Sequence, residues 1–386
     1  MATTSDLVRK VADQKNDPGL HGAPFWAWNG KLDKDELIRQ IHVMKDMGLG
    51  GFFMHSRVGL NTPYLSEEWF DCVKACISEA EKLGMNAWLY DEDRWPSGAA
   101  GGLVTKDHRY RMRALVMLGE GEELSGLEPL ELGKFAIRFA PGSRHYLSYR
   151  KLSGNESAGE GEKEFRFIRF VSGDNSWYNG ESYLDTLNPE AVDKFIEVTH
   201  EAYRREIADK FGKAVPGIFT DEPNYSQVSG VDGDRVQWTD ALPEKFEERF
   251  GYSILDKLPE LFMFSCEERF SKVRHDFYDL CAELFTRAFG ERIGKWCQEN
   301  NMLYTGHLLQ EAGIEIQTRC VGECMRFYEY MQAPGMDLLT EYRDEYMTAK
   351  QVTSVAHQFG WKVRLSETYG CTGWDFPFFG HKALGD

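Results

Sequence analysis

At 386 residues the chain can bury a full-size core, enough for one large barrel with insertions or for two domains. Its 45 basic and 62 acidic residues give a formal net charge of −17, which would repel a phosphate backbone or an anionic membrane surface and excludes nucleic acid and membrane as expected partners. Neither the first 15 residues nor any later stretch holds an apolar run of signal-peptide or membrane-spanning length, so the sequence reads as soluble and cytoplasmic.

Residues 1–22 read as a helical stub and a Pro-Gly linker. A first strand is expected over 23–28, ending at Asn29-Gly30, and a helix follows with Asp33 and Glu36 as a capping box and Leu37, Ile41 and Met44 on one face. The next strand, Gly51-Phe52-Phe53-Met54-His55, carries His55 and Arg57 to its end. Ser66 then opens a helix with Phe70, Val73, Ile77 and Ala80 in register. A third strand over 86–90 runs into Asp91-Glu92-Asp93-Arg94-Trp95-Pro96-Ser97-Gly98, a loop dense in functional groups. From about 114 to 171 the apolar period changes from helical to alternating, which predicts an antiparallel segment with one wet face, its Gly/Ser/Glu-rich tract 153–163 forming a mobile hairpin tip.

The β/α pattern resumes with Asn188-Pro189 as cap and first helical residue. It leads to Gly217-Ile218-Phe219-Thr220-Asp221-Glu222-Pro223, where proline stops an apolar strand just after two carboxylates. A loop with small helices is expected over 224–264, and a long helix over 267–300 with Phe270, Val273, Phe277, Leu280 and Leu284 at core spacing. Further strands are expected at 303–307, 330–337 and 363–366, with a helix over 344–359 closed by Gly360. Strands alternating with helices specify a parallel α/β fold, here a TIM-type (β/α)8 barrel with an inserted antiparallel β segment. The expected division is a stub over 1–22, a first barrel part over 23–113, a β-rich insertion over 114–175 and a second, truncated barrel part over 176–386. Seven strands are countable and the tail 371–386 holds no further β-rich run, so the eighth strand is not expected. An open doubly wound sheet is the fallback, without a G-x-G-x-x-G to support a dinucleotide or other organic cofactor. The eight cysteines, including the pairs Cys72/Cys76 and Cys320/Cys324, fall mostly in apolar helical patterns and read as buried thiols.

Acids at strand ends in a barrel point to chemistry, and two of them, one protonated and one ionised, are what glycosidic hydrolysis needs. Glu222 and Glu367 have the type and the placement, Glu311 is a third candidate base, and Glu329 and Asp337 are weaker ones. His55, Arg57, Asp91, Asp93, Asp221 and His307 would ring the same mouth, with Trp28, Trp95, Trp238 and Trp374 as aromatic platforms for a sugar, whereas Trp69, Trp88 and Trp296 read as core. The blocks Pro24-Phe25-Trp26-Ala27-Trp28-Asn29-Gly30, Gly50-Gly51-Phe52-Phe53-Met54-His55-Ser56-Arg57, 90–98, Thr220-Asp221-Glu222-Pro223, Thr305-Gly306-His307 and Ser366-Glu367-Thr368-Tyr369-Gly370 together resemble the catalytic barrel of the α-L-rhamnosidases of glycoside hydrolase family 106. That resemblance implies an inverting exo-glycosidase with paired glutamates and a calcium ion assisting sugar binding; it places Asn29 and Tyr369 with the substrate-binding residues. A catalytically inactive carbohydrate-binding barrel and a metal-dependent barrel hydrolase are the alternatives.

Overall fold

The computed structural model describes residues 17–341 and 346–386. Residues 1–16 of the stub expected over 1–22 and the start of the helix expected over 344–359 lie outside the described residues; that helix is seen from Met347 to Phe359. Helix starts follow the caps read from sequence. Asp33 accepts the Glu36 amide at 2.9 Å, Ser66 that of Trp69 at 3.2 Å, and Asn188 that of Glu190 at 3.0 Å, opening helices Lys34–Asp46, Glu67–Leu83 and Pro189–Val198.

Along the chain the strands are β1 (Phe25–Trp28), β2 (Gly51–Ser56), β3 (Asn86–Tyr90), β4 (Arg113–Leu118), β5 (Leu127–Phe139), β6 (Tyr146–Lys151), β7 (Lys163–Val171), β8 (Gly217–Asp221), β9 (Arg235–Trp238), β10 (Leu303–His307), β11 (Ala333–Leu338) and β12 (Leu365–Thr368). Seven of them form a parallel sheet in the order β1-β2-β3-β8-β10-β11-β12, and the others an antiparallel sheet in the order β6-β5-β7-β4-β9. The seven parallel strands are the seven expected. Among the described residues no pairing joins β12 back to β1, so the sheet is curled but open.

The curl follows from side-chain contacts. Phe25 on β1 and Phe219 on β8 are three strands apart, about 14 Å in a flat sheet at ~4.8 Å per step, yet their ring centroids are 4.8 Å apart. Phe53, Trp88, Tyr90 and Phe219 fill the concave side, with Leu303 and Leu365 packed against them. The alternate strand residues Phe52, Met54, Leu89, Ile218 and Tyr304 join the larger core shared with the helices. Gly306 adopts φ +133°, and a Cβ there would lie 1.9 Å from the Thr220 carbonyl oxygen, so glycine permits the close approach of β10 to β8.

Three expectations are corrected. The 224–264 segment contains β9, which pairs with β4 and so extends the antiparallel sheet rather than completing the barrel. The long helix begins at Lys272, leaving Phe270 65% exposed outside it, and a π-helical stretch at Thr286–Glu291 joins Lys272–Phe285 to Arg292–Glu299. Trp238, expected as a platform, is buried at the end of β9. All eight cysteines are free, and Cys72, Cys76, Cys320 and Cys324 are buried as read; Trp69, Trp88 and Trp296 are buried too. Among the described residues no helix is long and apolar enough to cross a membrane.

Candidate active site

At the C-terminal lip of the parallel sheet, β8 ends in Asp221, β10 in His307, β11 carries Asp337 and β12 carries Glu367. Parallel register sets His307 opposite Asp221 and Glu367 opposite Asp337, so the carboxylates and the imidazole meet across neighbouring strands. His307 Nε2 lies 2.8 Å from Glu367 Oε2 and 3.4 Å from Asp221 Oδ1. Burial works against charge on His307, but the Glu367 hydrogen bond and the fields of Glu367 and Asp221 outweigh it and raise its pKa well above the ordinary value. The protonated ring is thereby favoured, and its buried Nδ1 has no hydrogen-bond partner among the described residues.

Asp221 is the floor of this cluster. Its Oδ2 accepts the Tyr90 hydroxyl at 2.6 Å, and His55, stacked on Phe25, brings Nε2 to 3.9 Å from the same oxygen. Burial opposes its ionisation, but the two imidazoles prevail and hold it below the usual carboxylate range. Its backbone is clamped as well. Ser97 Oγ accepts the Asp221 amide at 2.8 Å and donates to Asp91 at 2.5 Å, while the Ser97 amide donates to the Asp221 carbonyl at 2.7 Å.

Glu222 follows at φ +47°, a left-handed conformation that non-glycine residues seldom adopt, with its amide held by the His307 carbonyl at 3.1 Å. Its half-buried carboxyl has a pKa raised to about 7, first by burial, with Asp221, Asp337 and Glu367 adding to the rise against the opposing charge of His307. Glu222 and Glu367 are thus two carboxyls in unlike surroundings, one crowded by acids and one hydrogen-bonded to an imidazolium.

The other expected residues divide. Glu311 is buried under donors, namely the Tyr328 hydroxyl, the Asp337 amide at 2.8 Å and the Leu308 amide at 3.3 Å; burial first of all lifts its pKa to about 7. It orients β11 and so positions Asp337. Asp91 is fully buried beneath Ser97, and Asp93 is tied to Ser56, Arg94 and Asn179, so neither reaches the mouth as expected. Trp28 corrects the platform reading, for it is 2% exposed and packs edge-on against Trp26 and Trp69 on the helix side of β1. Trp95 is half-buried against Trp177, Arg57 is half-buried and Asn29 is exposed. Tyr369, at φ +68°, and Trp374 are exposed beyond β12.

Sequence reasoning assigned no role to Tyr90, Ser97 or Glu92. Glu92 accepts four backbone amides, from Asp93, Gly98, Ala100 and Gly101, at 2.5–2.8 Å, and so shapes the loop that carries Ser97. The glycines at 98 and 101, both at positive φ, were the available signal for a backbone cradle around an acid.

Two triads place one ligand atom from each residue within 4.8 Å of the others, Asp221 with His307 and Glu367, and Glu222 with His307 and Asp337. Both include the His307 imidazole, which suits a borderline transition ion rather than calcium, a hard cation of six to eight oxygen ligands. These residues therefore do not fit the calcium that the family resemblance implies.

No family model matches the chain, and no curated protein matches it. Among solved structures, a rhamnosidase from Novosphingobium sp. PP1Y superposes over 92% of this chain with a TM-score of 0.63 at 13% sequence identity, and this chain spans 52% of that one. The catalytic domain of a β-amylase from Paenibacillus polymyxa gives a TM-score of 0.45 at 10% identity, over 91% of this chain and 88% of that one. The first likeness shows a shared fold across about half the length of the rhamnosidase.

Proposed function

We propose that the protein is a glycoside hydrolase that removes a terminal, rhamnose-like sugar, with Glu222 as general acid and Glu367 as the ionised partner, on a TIM-type frame. The observation that carries this reading is the pairing at one lip of a half-buried, acid-crowded carboxyl with a second carboxylate anchored on a charged histidine. A glycosidic oxygen leaves readily only when it is protonated, and Glu222 is placed in the surroundings that keep a proton near neutrality. His307 holds Glu367 in an accepting orientation, from which it would draw a proton from the attacking water. Asp221, fixed by Tyr90 and Ser97, keeps His307 charged and so keeps Glu367 in place.

Asp337 is the competing partner for Glu222. One of its carboxylate oxygens lies within 4.8 Å of one on Glu222. Carboxyls about 5–5.5 Å apart act by retention and those about 6.5–9.5 Å apart by inversion, so the close Glu222/Asp337 pair fits retention, whereas the proposed Glu222/Glu367 pair is expected to invert, as the family resemblance implies. Screening aryl glycosides and reading the first-formed anomer by NMR tests this. An inverted rhamnose-type product, lost in Glu222→Gln and Glu367→Gln, is expected; a retained product, or turnover surviving Glu367→Gln but not Asp337→Asn, would overturn the assignment of Glu367.

The triads around His307 favour a second reading, a metal-dependent hydrolase. Elemental analysis of the purified protein, with activity before and after chelation, separates the two. The proposed acid/base enzyme keeps its activity without metal.

A further inference from the structure

Between the free edge of the antiparallel sheet and helices Lys272–Phe285 and Ile314–Cys320 lies a cleft of about 710 Å³, within the size range of small-ligand sites. One wall is β9, an edge strand that presents Arg235 and Gln237 from the same side of the sheet. Arg274, Arg319, Tyr278 and Phe264 form the other wall. Tyr225 connects the cleft to the catalytic lip. It is three residues past Glu222, at most about 10 Å of chain, and its hydroxyl and amide bind the Thr318 and Cys320 carbonyls at 2.7 and 2.9 Å.

The charge of this cleft runs against that of the chain. In a protein of net charge −17, four arginines line one cavity against two acids, Asp234 and Glu315, and of the four Arg113 is held by Asp240 and Asp185. Arg274 is half-buried and bonds only the Glu260 and Met263 carbonyls, with no carboxylate in ion-pairing distance among the described residues; its guanidinium lies 4.0 Å over the Phe264 ring. Arg235 is exposed and makes no side-chain bond among the described residues. Arg319 is paired to Glu315, but the two side chains are 64% and 85% exposed, a pair readily exchanged for a ligand. Gln237 in the same cleft wall is 8% exposed, and its Nε2, which acts on the buried Cys281 thiol, completes no regular hydrogen bond among the described residues. Unpaired guanidiniums and a buried amide donor call for an acceptor-rich anion, and Phe264 and Tyr278 supply apolar faces for a ring.

We infer that this cleft is a second binding site, distinct from the catalytic lip, that takes an acidic oligosaccharide: the carboxylate seats between Arg235, Arg319 and Gln237, and the sugar ring lies against Phe264 and Tyr278. The anion preference rests on the cleft itself, and the sugar on the glycosidase reading. Being adjacent to Glu222, the site would hold a charged neighbouring residue of the glycan whose terminal sugar is removed.

Isothermal titration of the intact chain with trigalacturonate, with the neutral galactose trisaccharide and with sodium sulfate tests the inference. Trigalacturonate is expected to bind, at least tenfold more tightly than the other two, with an affinity that falls as salt rises. Arg235→Gln/Arg319→Gln should weaken it at least tenfold and Gln237→Leu several-fold, while Glu222→Gln binds like wild type. These variants spare Arg274, whose bonds to backbone carbonyls make it part of the fold. Absence of binding, equal binding of the neutral trisaccharide, binding of sulfate as tight as trigalacturonate, or indifference to the double substitution would each overturn the inference. Binding by a protein that hydrolyses no glycoside would support the cleft while removing the glycosidase reading.

Discussion

Glu222 owes its proton to burial and to three neighbouring acids, so its chemistry is tied to pH in a definite direction. Its value of about 7 in the folded chain exceeds the ordinary 4.5, so between those values the folded chain keeps a proton that the unfolded chain has released. The stability it contributes is full below 4.5 and lost as pH rises through 7, and the acid function proposed for it would fade over the same alkaline limb. Glu222→Gln should therefore abolish a limb near 7 in kcat/KM and lower kcat by on the order of 10² or more for poor leaving groups, with a smaller loss for activated aryl glycosides. A pH–rate profile on both substrate types checks this, and an unchanged limb would mean that another group donates the proton. Glu92 makes a different prediction. Its two oxygens satisfy four amides, whereas Gln offers one oxygen and turns an amide group toward the other donors. Glu92→Gln should destabilise the fold by about 2 kcal/mol or more, read as a lower urea midpoint.

Among the elements, the strand motif Thr305-Gly306-His307 shows how local sequence becomes site geometry. Gly306→Ala would set a Cβ against the Thr220 carbonyl at a backbone angle that alanine resists, pushing β10 from β8 and His307 from Asp221. Destabilisation above about 1 kcal/mol is expected, with a fall in kcat larger than the change in KM, checked by urea titration and steady-state kinetics. The first five parallel strands were legible because each is a short, largely apolar run ending in a polar lip, whereas β11 and β12, less apolar, begin three and two residues later than expected; the caps at Asp33, Ser66 and Asn188 were legible because capping is local. β9 was not, since Arg235 to Trp238 is only four residues long and becomes a strand through its pairing with β4. Trp28 was misplaced for a related reason. A strand-end tryptophan could face either side, and the parity that puts Phe25 on the concave face turns Trp28 toward Trp69. His307, Asp221 and Glu367 could be placed on one lip from sequence, but not their hydrogen bonds, which depend on register between strands far apart in the chain. Asp337, a weaker candidate in sequence, stands close to Glu222 because Glu311 holds its amide, a contact across two helices that no motif announces.

The molecule as a whole leaves a parallel sheet with two ends, β1 and β12, that are unpaired among the described residues. At β1 the outer face is covered, since Trp26 and Trp28 join the helix-side core. β12 differs: Ser366 is exposed, Leu365, Glu367 and Thr368 are half-exposed, and the segment beyond it carries Trp374, Phe378 and Phe379 at 108%, 94% and 75% exposure. An exposed edge with backbone groups seeking partners, beside uncovered aromatic surface, favours pairing between molecules. Sedimentation velocity should therefore show association that grows with protein concentration. Ser366→Lys puts a charge on the outward side of β12, where it opposes edge pairing without entering the site, and Phe378→Ser/Phe379→Ser removes apolar surface from the adjoining helix Phe378–Gly385. If the edge drives association, the lysine variant is the more monomeric; if the aromatic surface drives it, the serine pair is. A wild-type chain that stays monomeric at every concentration would instead require β12 to be shielded, with Glu367 then fixed by a neighbour on its open side as firmly as His307 fixes it on the other.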